Sequence, residues 1–338
     1  MTKTNFSFKL ILGLLVMFSC QTTSIEKKSN IEIKDPLPSW NDGSSKSSII
    51  NFVQSSTDSL SSTFVPVEDR IAVFDNDGTL WSEQPMYFQL AFALDQIAKL
   101  APEHPEWYNT EPFKSVLNND LIAVMKQGEG ALLQIIMASH GGMTAGDFEG
   151  RVKEWMRTAK HPKFNRPYTD LVFQPMLEVL AYLRENEFKT FIVSGGGIGF
   201  MRPVTNQLYG IPAEQVVGSM MKVEYDQDEK IINRYPELSF IDDKSGKPVG
   251  IYNFIGKKPI AAFGNSDGDL QMLEWTSTKP NSFMMYVHHT DDKREWAYDS
   301  LSSIGKLKEG LRVAGKLGWT VADMKRDWKV VYPFELED

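Results

Sequence analysis

The sequence predicts an α/β fold, a Rossmann-like parallel sheet interrupted after its first strand by a long, mostly helical insertion. Two observations carry this reading. Four short apolar runs, residues 71–74, 190–193, 259–263 and 283–287, are rich in Val, Ile, Ala, Met or Phe and lack clean alternation, as strands covered on both faces do. Helical periodicities separate them: Met176, Val179, Leu180 and Leu183 share one face before the second run, and residues 248–255 precede the third, with Pro248 suited to a first turn.

The elements follow in order. Lys3 and Lys9 precede an apolar run at residues 10–18, too short for a comfortable membrane span, and Ser19 then stands before Cys20. Residues 1–20 thereby resemble a bacterial lipoprotein signal, with Cys20 as the lipidated first residue of the mature chain and the only membrane contact. That signal would place the protein in the bacterial cell envelope, anchored in a membrane and facing the periplasm. Residues 21–43 are polar and read as a tether. The core is expected at 44–81 and 169–338, opening with a helix over 47–53 that carries Ile49, Ile50, Phe52 and Val53. The insertion at 82–168 shows helical spacing over 85–100, 130–139 and 144–160, and Thr144 with Asp147 resembles a capping box. Residues 215–235 read as a strand pair turning around 226–229.

With 338 residues, 42% of them hydrophobic and 24% charged, and with 20 Phe and 8 Trp, the chain has enough bulk for an ordinary globular core. A net charge of -8 argues against a nucleic-acid partner held through phosphate contacts. The single cysteine excludes an internal disulfide and any cysteine-based zinc or iron–sulfur site.

Each apolar run ends in a polar cluster: Asp75-Asn76-Asp77-Gly78-Thr79, Ser194-Gly195-Gly196-Gly197, Gly264-Asn265-Ser266-Asp267-Gly268-Asp269, and His288-His289-Thr290-Asp291. In an open parallel sheet these clusters converge on the crevice outside the carboxyl ends of the strands. The residue types suit phosphoryl transfer from a monoester. Asp75 and Asp77 bring together two carboxylates whose repulsion a hard cation such as Mg2+ would relieve; one can attack while the other serves as acid and then base. Ser194 and the glycine run offer a hydroxyl and N–H groups at the start of a helix over 198–209, an anion cradle.

These motifs resemble those of the haloacid dehalogenase superfamily, on its phosphoserine-phosphatase-like side, over residues from about 70 to 287. The resemblance implies that Asp75 is the nucleophile that becomes an aspartyl phosphate, that Asp77 is the general acid and base and lends its carbonyl to Mg2+, and that Ser194 holds a phosphoryl oxygen beside Gly195 and Gly196. A lysine completes the set. Lys257 and Lys258 precede a strand and so sit at the wrong edge of the sheet; Lys247, at the start of the helix running back to that strand, is the expected residue, with Lys244 second. The superfamily has Asp where this chain has Asn265, which retains an amide oxygen for the metal but not the charge. Asp269 matches the second acid of that motif, and Asp267 is an additional candidate ligand.

In this superfamily an insertion at this place is a cap that selects the leaving group. Within it Trp107, Tyr108, His140, Arg151, Trp155 and Arg157 are the chemically notable side chains, each more in keeping with core or surface than with substrate contact. The glutamate that recognises the amine of phosphoserine corresponds in register to Gln84, with Glu83 one residue earlier. His288, His289 and Asp291 are expected at the crevice edge, as substrate contacts or as plain loop residues. The expected function is a Mg2+-dependent phosphatase acting on a small extracytoplasmic phosphomonoester. Phosphoserine phosphatase proper and a noncatalytic envelope binding protein are the alternatives, and a carbon–halogen hydrolase fits less well because that branch lacks the second aspartate.

Overall fold

The computed structural model of the chain describes residues 1–2 and 35–337. Cys20 and most of the expected signal and tether therefore lie outside the described residues. Residues Pro36–Asp338 form one compact unit, and among the described residues no helix is long and apolar enough to cross a membrane.

Eight strands form one sheet: β1 (Ile71–Phe74), β2 (Met143–Thr144), β3 (Lys189–Gly197), β4 (Val216–Asp226), β5 (Ile231–Phe240), β6 (Ala261–Gly264), β7 (Phe283–His288) and β8 (Thr320–Asp323), in the order β2-β5-β4-β3-β1-β6-β7-β8. The six from β4 to β8 in this order pair in parallel, and β1 lies between β3 and β6. This is the predicted Rossmann-like α/β sheet. Successive residues of each central strand point to opposite faces. Ala72 and Phe74 join Ile192, Ala261, Phe263 and Met285 in one core, while Ile71 and Val73 join Val193, Ala262, Met284 and Tyr286 in the other. Burial on both faces explains why the four runs lack alternation.

The strand pair expected at 215–235 is the β4–β5 hairpin, which extends to Phe240. Its outer strand meets the insertion: β2 pairs antiparallel with β5, Met143 opposite Arg234 and Thr144 opposite Asn233. The insertion itself is largely helical. Helices Phe88–Leu100, Glu129–His140 and Ala145–Thr158 occupy the three expected stretches, with the short helices Phe113–Leu117 and Leu121–Lys126 between the first two. Ala93, Ile97, Trp107, Val116, Val124 and Ile135 give it a small core of its own. At Thr144 the hydroxyl oxygen accepts from the Asp147 N–H and its proton goes to the Asp147 carboxylate, a local variant of the expected cap.

One boundary differs. Residues 36–43, assigned to the tether by their polarity, are packed: Leu37 and Trp40 are fully buried, the Trp40 indole N–H donates to the Pro175 carbonyl at 3.0 Å, and its ring meets Trp328 edge-on at 5.8 Å. Two apolar anchors among prolines and serines leave no periodic trace, so composition alone conceals them. The helix that follows is correspondingly longer, Ser44–Thr57. Strand β8 was also not expected, because Thr320–Asp323 is short and only Ala322 in it is buried. Trp40→Ala is predicted to lower the unfolding free energy by about 3–5 kcal/mol, the range for a large aromatic removed from a core. Chemical denaturation of the variant against the parent chain checks this, and an unchanged midpoint would return residues 36–43 to the tether.

Candidate active site

Four chain segments meet at the carboxyl ends of β1, β3 and β6. Asp75 directly follows β1, anchored by its N–H to the Phe263 carbonyl at 2.9 Å. The chain then turns sharply. Gly78 has φ +76°, and a Cβ there would stand 2.0 Å from Asn265 Nδ2, so no other residue fits the turn without displacing the Asn265 side chain. The turn aims Asp77 back toward the sheet edge, where the Trp81 indole N–H donates to its Oδ1 at 2.9 Å. Ser194 is the last buried residue of β3, and its Oγ accepts the Gly196 N–H at 3.0 Å. The helix Ile198–Tyr209 begins directly after the glycine run, so its first N–H groups face this loop.

Lys247 completes the cluster. It starts the helix Gly246–Gly250, and its buried ammonium donates to Asp75 Oδ1 and Asp269 Oδ1, each at 2.6 Å, and to the Val193 carbonyl at 2.9 Å. Lys257 and Lys258 instead bind Asp69 and Thr278. Asp269 Oδ2 accepts the N–H groups of Asn265 and Ser266, so one carboxylate both shapes the loop after β6 and holds the lysine.

The electrostatics follow from burying several carboxylates with one ammonium. Burial, aided by the neighbouring Asp269, pushes the Asp75 carboxyl well above the usual range, against the pull of Lys247. Burial lifts Asp77 to about 6, opposed by the Trp81 N–H and by Lys247. Burial also raises Glu83 well above its ordinary value. On Lys247, burial works to lower the ammonium, but Asp269 and Asp75 outweigh it and hold it above the ordinary lysine range. The set has a deficit of positive charge that an added cation would relieve.

A family model for haloacid dehalogenase-like hydrolases matches residues 72–274, which contain all of these groups. The chain belongs to this family. Among solved structures, a functionally unknown protein from Anaerococcus prevotii DSM 20548 is 17% identical with a TM-score of 0.52, covering 86% of this chain and 94% of that one. A protein of unknown function from Bordetella pertussis Tohama I is 16% identical with a TM-score of 0.48, covering 75% and 98%. A phosphoserine phosphohydrolase-like protein from Francisella tularensis subsp. tularensis SCHU S4 is 15% identical with a TM-score of 0.38, covering 73% and 99%. No curated protein matches.

Against this hydrolase framework several expected site residues are placed elsewhere. Asp267 does not line the cavity at Asp75; its Oδ1 accepts the N–H groups of Lys308 and Gly310 and pins the start of the helix Glu309–Leu317. The Gln84 amide donates to the Ile304 carbonyl and also lies off the cavity. Glu83 lines the cavity, with its Oε1 accepting from Asn265 Nδ2 at 2.7 Å and from the Tyr298 hydroxyl at 2.8 Å. His289 sits behind the motif, with Nε2 2.7 Å from the Gly78 carbonyl oxygen, Nδ1 3.0 Å from Glu295 Oε2, and its ring stacked on Tyr298. His288 faces Asp299, and Asp291 binds Arg294. His288, His289 and Asp291 brace the loop and do not line the cavity.

Of the insertion's candidates, only His140 lines the cavity. Trp107 belongs to the insertion's own core, Trp155 is buried with its N–H on Asp95, Arg157 pairs with Glu154 on the surface, and Tyr108 is exposed. Gln89 and Arg234 are cavity residues that sequence reading missed. Gln89 Oε1 accepts the Gly197 N–H at 2.7 Å and its Nε2 lies 2.9 Å from His140 Nε2, so the insertion is tied to the anion loop through one amide. Burial, and then the nearby Arg234, depresses His140 to about 3, keeping the ring neutral; with Nε2 accepting from Gln89, Nδ1–H donates to Ser139 Oγ. No motif marks either residue, although Gln89 does fall in the first turn of a helix beginning just after Pro85.

Two outcomes test this electrostatic picture. Asn265→Asp would set a carboxylate against Glu83 and is predicted to lower the melting temperature by several degrees at pH 8, with the pair Asn265→Asp and Glu83→Gln recovering most of the loss. Equal melting of the single and double variants would break the proposed complementarity. Asp242, fully buried behind the Lys247 turn, is raised by burial to about 7. Since the folded value exceeds the unfolded one, its contribution to stability is full below about pH 4 and is lost as pH rises through 7. Asp242→Asn should therefore match the parent near pH 4 and exceed it at pH 8, by on the order of 2–4 kcal/mol; pH-dependent denaturation curves that stay parallel would refute this.

Proposed function

We propose that the chain is a Mg2+-dependent phosphomonoester hydrolase working through an aspartyl phosphate on Asp75. One observation carries the reading: Asp75 is held by a buried ammonium while a second acid, Asp77, two residues on, stands at a pKa of about 6 beside the same anion loop. A group near that value can release a proton and take it back at physiological pH.

The Lys247 ammonium, 2.6 Å from Asp75 Oδ1, favours the ionised form of Asp75 against its burial, so that a carboxylate oxygen can attack phosphorus. The Asp75 O–P bond forms as the ester P–O bond breaks, and protonated Asp77 delivers its proton to the departing alkoxide. The Ser194 hydroxyl, the Gly195 N–H and the Lys247 ammonium stabilise the equatorial oxygens. Asp77, now a carboxylate, removes a proton from the water that attacks the phosphoaspartate, which regenerates Asp75 and releases inorganic phosphate. The Trp81 N–H on Oδ1 orients Asp77 and leaves its other oxygen toward the glycine loop, where a Cβ on Gly196 would stand 3.4 Å from Oδ2.

The donor chemistry suits Mg2+. Among the described residues no trio of His, Cys, Asp or Glu side chains is arranged to hold a metal; the oxygens that would hold a hard cation are those of Asp75, the Asp77 carbonyl and Asn265 Oδ1, the last accepting from the Thr79 hydroxyl at 3.2 Å. When bound there, Mg2+ would neutralise charge between Asp75 and the phosphoryl oxygens.

Asp75→Asn is predicted to abolish hydrolysis of an aryl phosphate while the circular dichroism spectrum is unchanged. Asp77→Asn should reduce turnover about 10²–10⁴-fold and let a phosphoenzyme accumulate, 80 Da heavier by intact mass, about the mass of one phosphoryl group. Retained turnover in the purified Asp75 variant would remove the nucleophile assignment.

A further inference from the structure

The cavity that contains Asp75 is far larger than a phosphate needs, about 820 Å³, a volume suited to a drug-sized ligand. Its composition is uneven. The phosphate end holds Asp75, Asp77, Ser194 and Lys247, whereas the space beneath the insertion and the β4–β5 hairpin is walled by Leu132, Ile136, Phe148, Ile198, Met220 and Met221.

The charged groups of that wall are each engaged through part of the side chain. The Arg234 guanidinium lies over the Phe148 ring at 4.1 Å and donates from Nε to the His140 carbonyl; Arg202 donates to the carbonyls of Ala213 and Val216; Glu149 pairs with Lys153. His140 has both ring nitrogens occupied, and Glu83 Oε1 accepts from Asn265 and Tyr298. Asp243, beside Gly195 and Gly268, adds a carboxylate near the phosphate end, and the lining as a whole is mostly apolar. Leu133, Val223 and Ile241 line the cavity and are also 39%, 50% and 59% exposed, so the apolar wall continues to the mouth.

Resting on the phosphomonoester reading above, we propose that the leaving group is an apolar alcohol whose hydrocarbon body fills this cavity and extends toward its mouth, and that amino-acid and polyol phosphates are poor substrates. The energetic reason is desolvation. Each methylene moved from water onto the wall favours binding by up to about fourfold, while an ammonium or a cluster of hydroxyls placed there would lose water without finding partners.

The test uses the full chain with Mg2+ and two parallel series: kcat/KM for ethyl, butyl and hexyl phosphate and O-phosphoserine, and calorimetric Kd for the matching alkylphosphonates. Both series should improve at least about tenfold from ethyl to hexyl, with phosphoserine below ethyl phosphate. Ile136→Asn, or Met221→Gln if the first variant melts early, should flatten the slope. A flat series, or preference for phosphoserine, overturns the inference and leaves the phosphatase reading standing. Hydrolysis of no ester at all overturns the phosphatase reading, and the phosphonate affinities still decide the cavity.

Discussion

Lys247 carries its positive charge into the protein interior, and the carboxyl ends of β1, β3 and β6 are all organised around it. Its three bonds reach Asp75 after β1, the Val193 carbonyl within β3, and Asp269 in the loop after β6. Taking an ammonium and two carboxylates out of water costs several kcal/mol per ion, and each is tolerable there only because the others are present. That mutual dependence explains features that would look unrelated one at a time. The Asp269 carboxylate must also bind the N–H groups of Asn265 and Ser266, since an acid with free lone pairs would be too costly at that depth. Asp75 remains the least satisfied member, with burial and Asp269 raising it against Lys247.

A second layer stands behind the first. Gly78 turns the chain, the Gly78 carbonyl faces His289, the His289 ring stacks on Tyr298, and the Tyr298 hydroxyl donates to Glu83, which accepts from Asn265. These contacts join the loop after β1 to the segment after β7 and to the loop after β6. The site is consequently built on side chains whose positions are fixed from behind, as accurate chemistry requires.

The sheet was legible in the sequence because burial on both faces leaves a plain mark, unbroken apolar runs, and the site because each run ends in residues whose chemistry has few other uses. Lys247 could be chosen by topology alone: a residue beginning a helix that returns to a strand starts at the strand's carboxyl edge. What escaped has equally physical reasons. Asp267 and Asp269 are identical in composition and two apart, yet one pins a distant helix and the other holds the lysine, a difference set by local turns. His289 was expected near the crevice and lies behind it, since a six-residue strand ending does not reveal which side its successor faces. Residues 36–43 carry two anchors, Leu37 and Trp40, too few to register as a pattern. Gln89 and Arg234 act through contacts between the insertion, the hairpin and the anion loop, and such pairings do not exist until the chain has folded.

The position of β1 has a consequence for the order in which the molecule comes into being. Among the described residues it is the first strand made, and it lies inside the sheet between β3 and β6, which follow it only at Lys189–Gly197 and Ala261–Gly264. During synthesis from the amino terminus, Ile71–Phe74 emerges without either neighbour and must wait for the whole insertion and then for most of the remaining core. The intervening residues are not idle, because the insertion carries its own cluster around Ile97, Trp107 and Ile135 and can collapse locally in the meantime. Asp75 thus acquires its lysine late, and the most strongly charged point of the interior is sealed near the end of assembly.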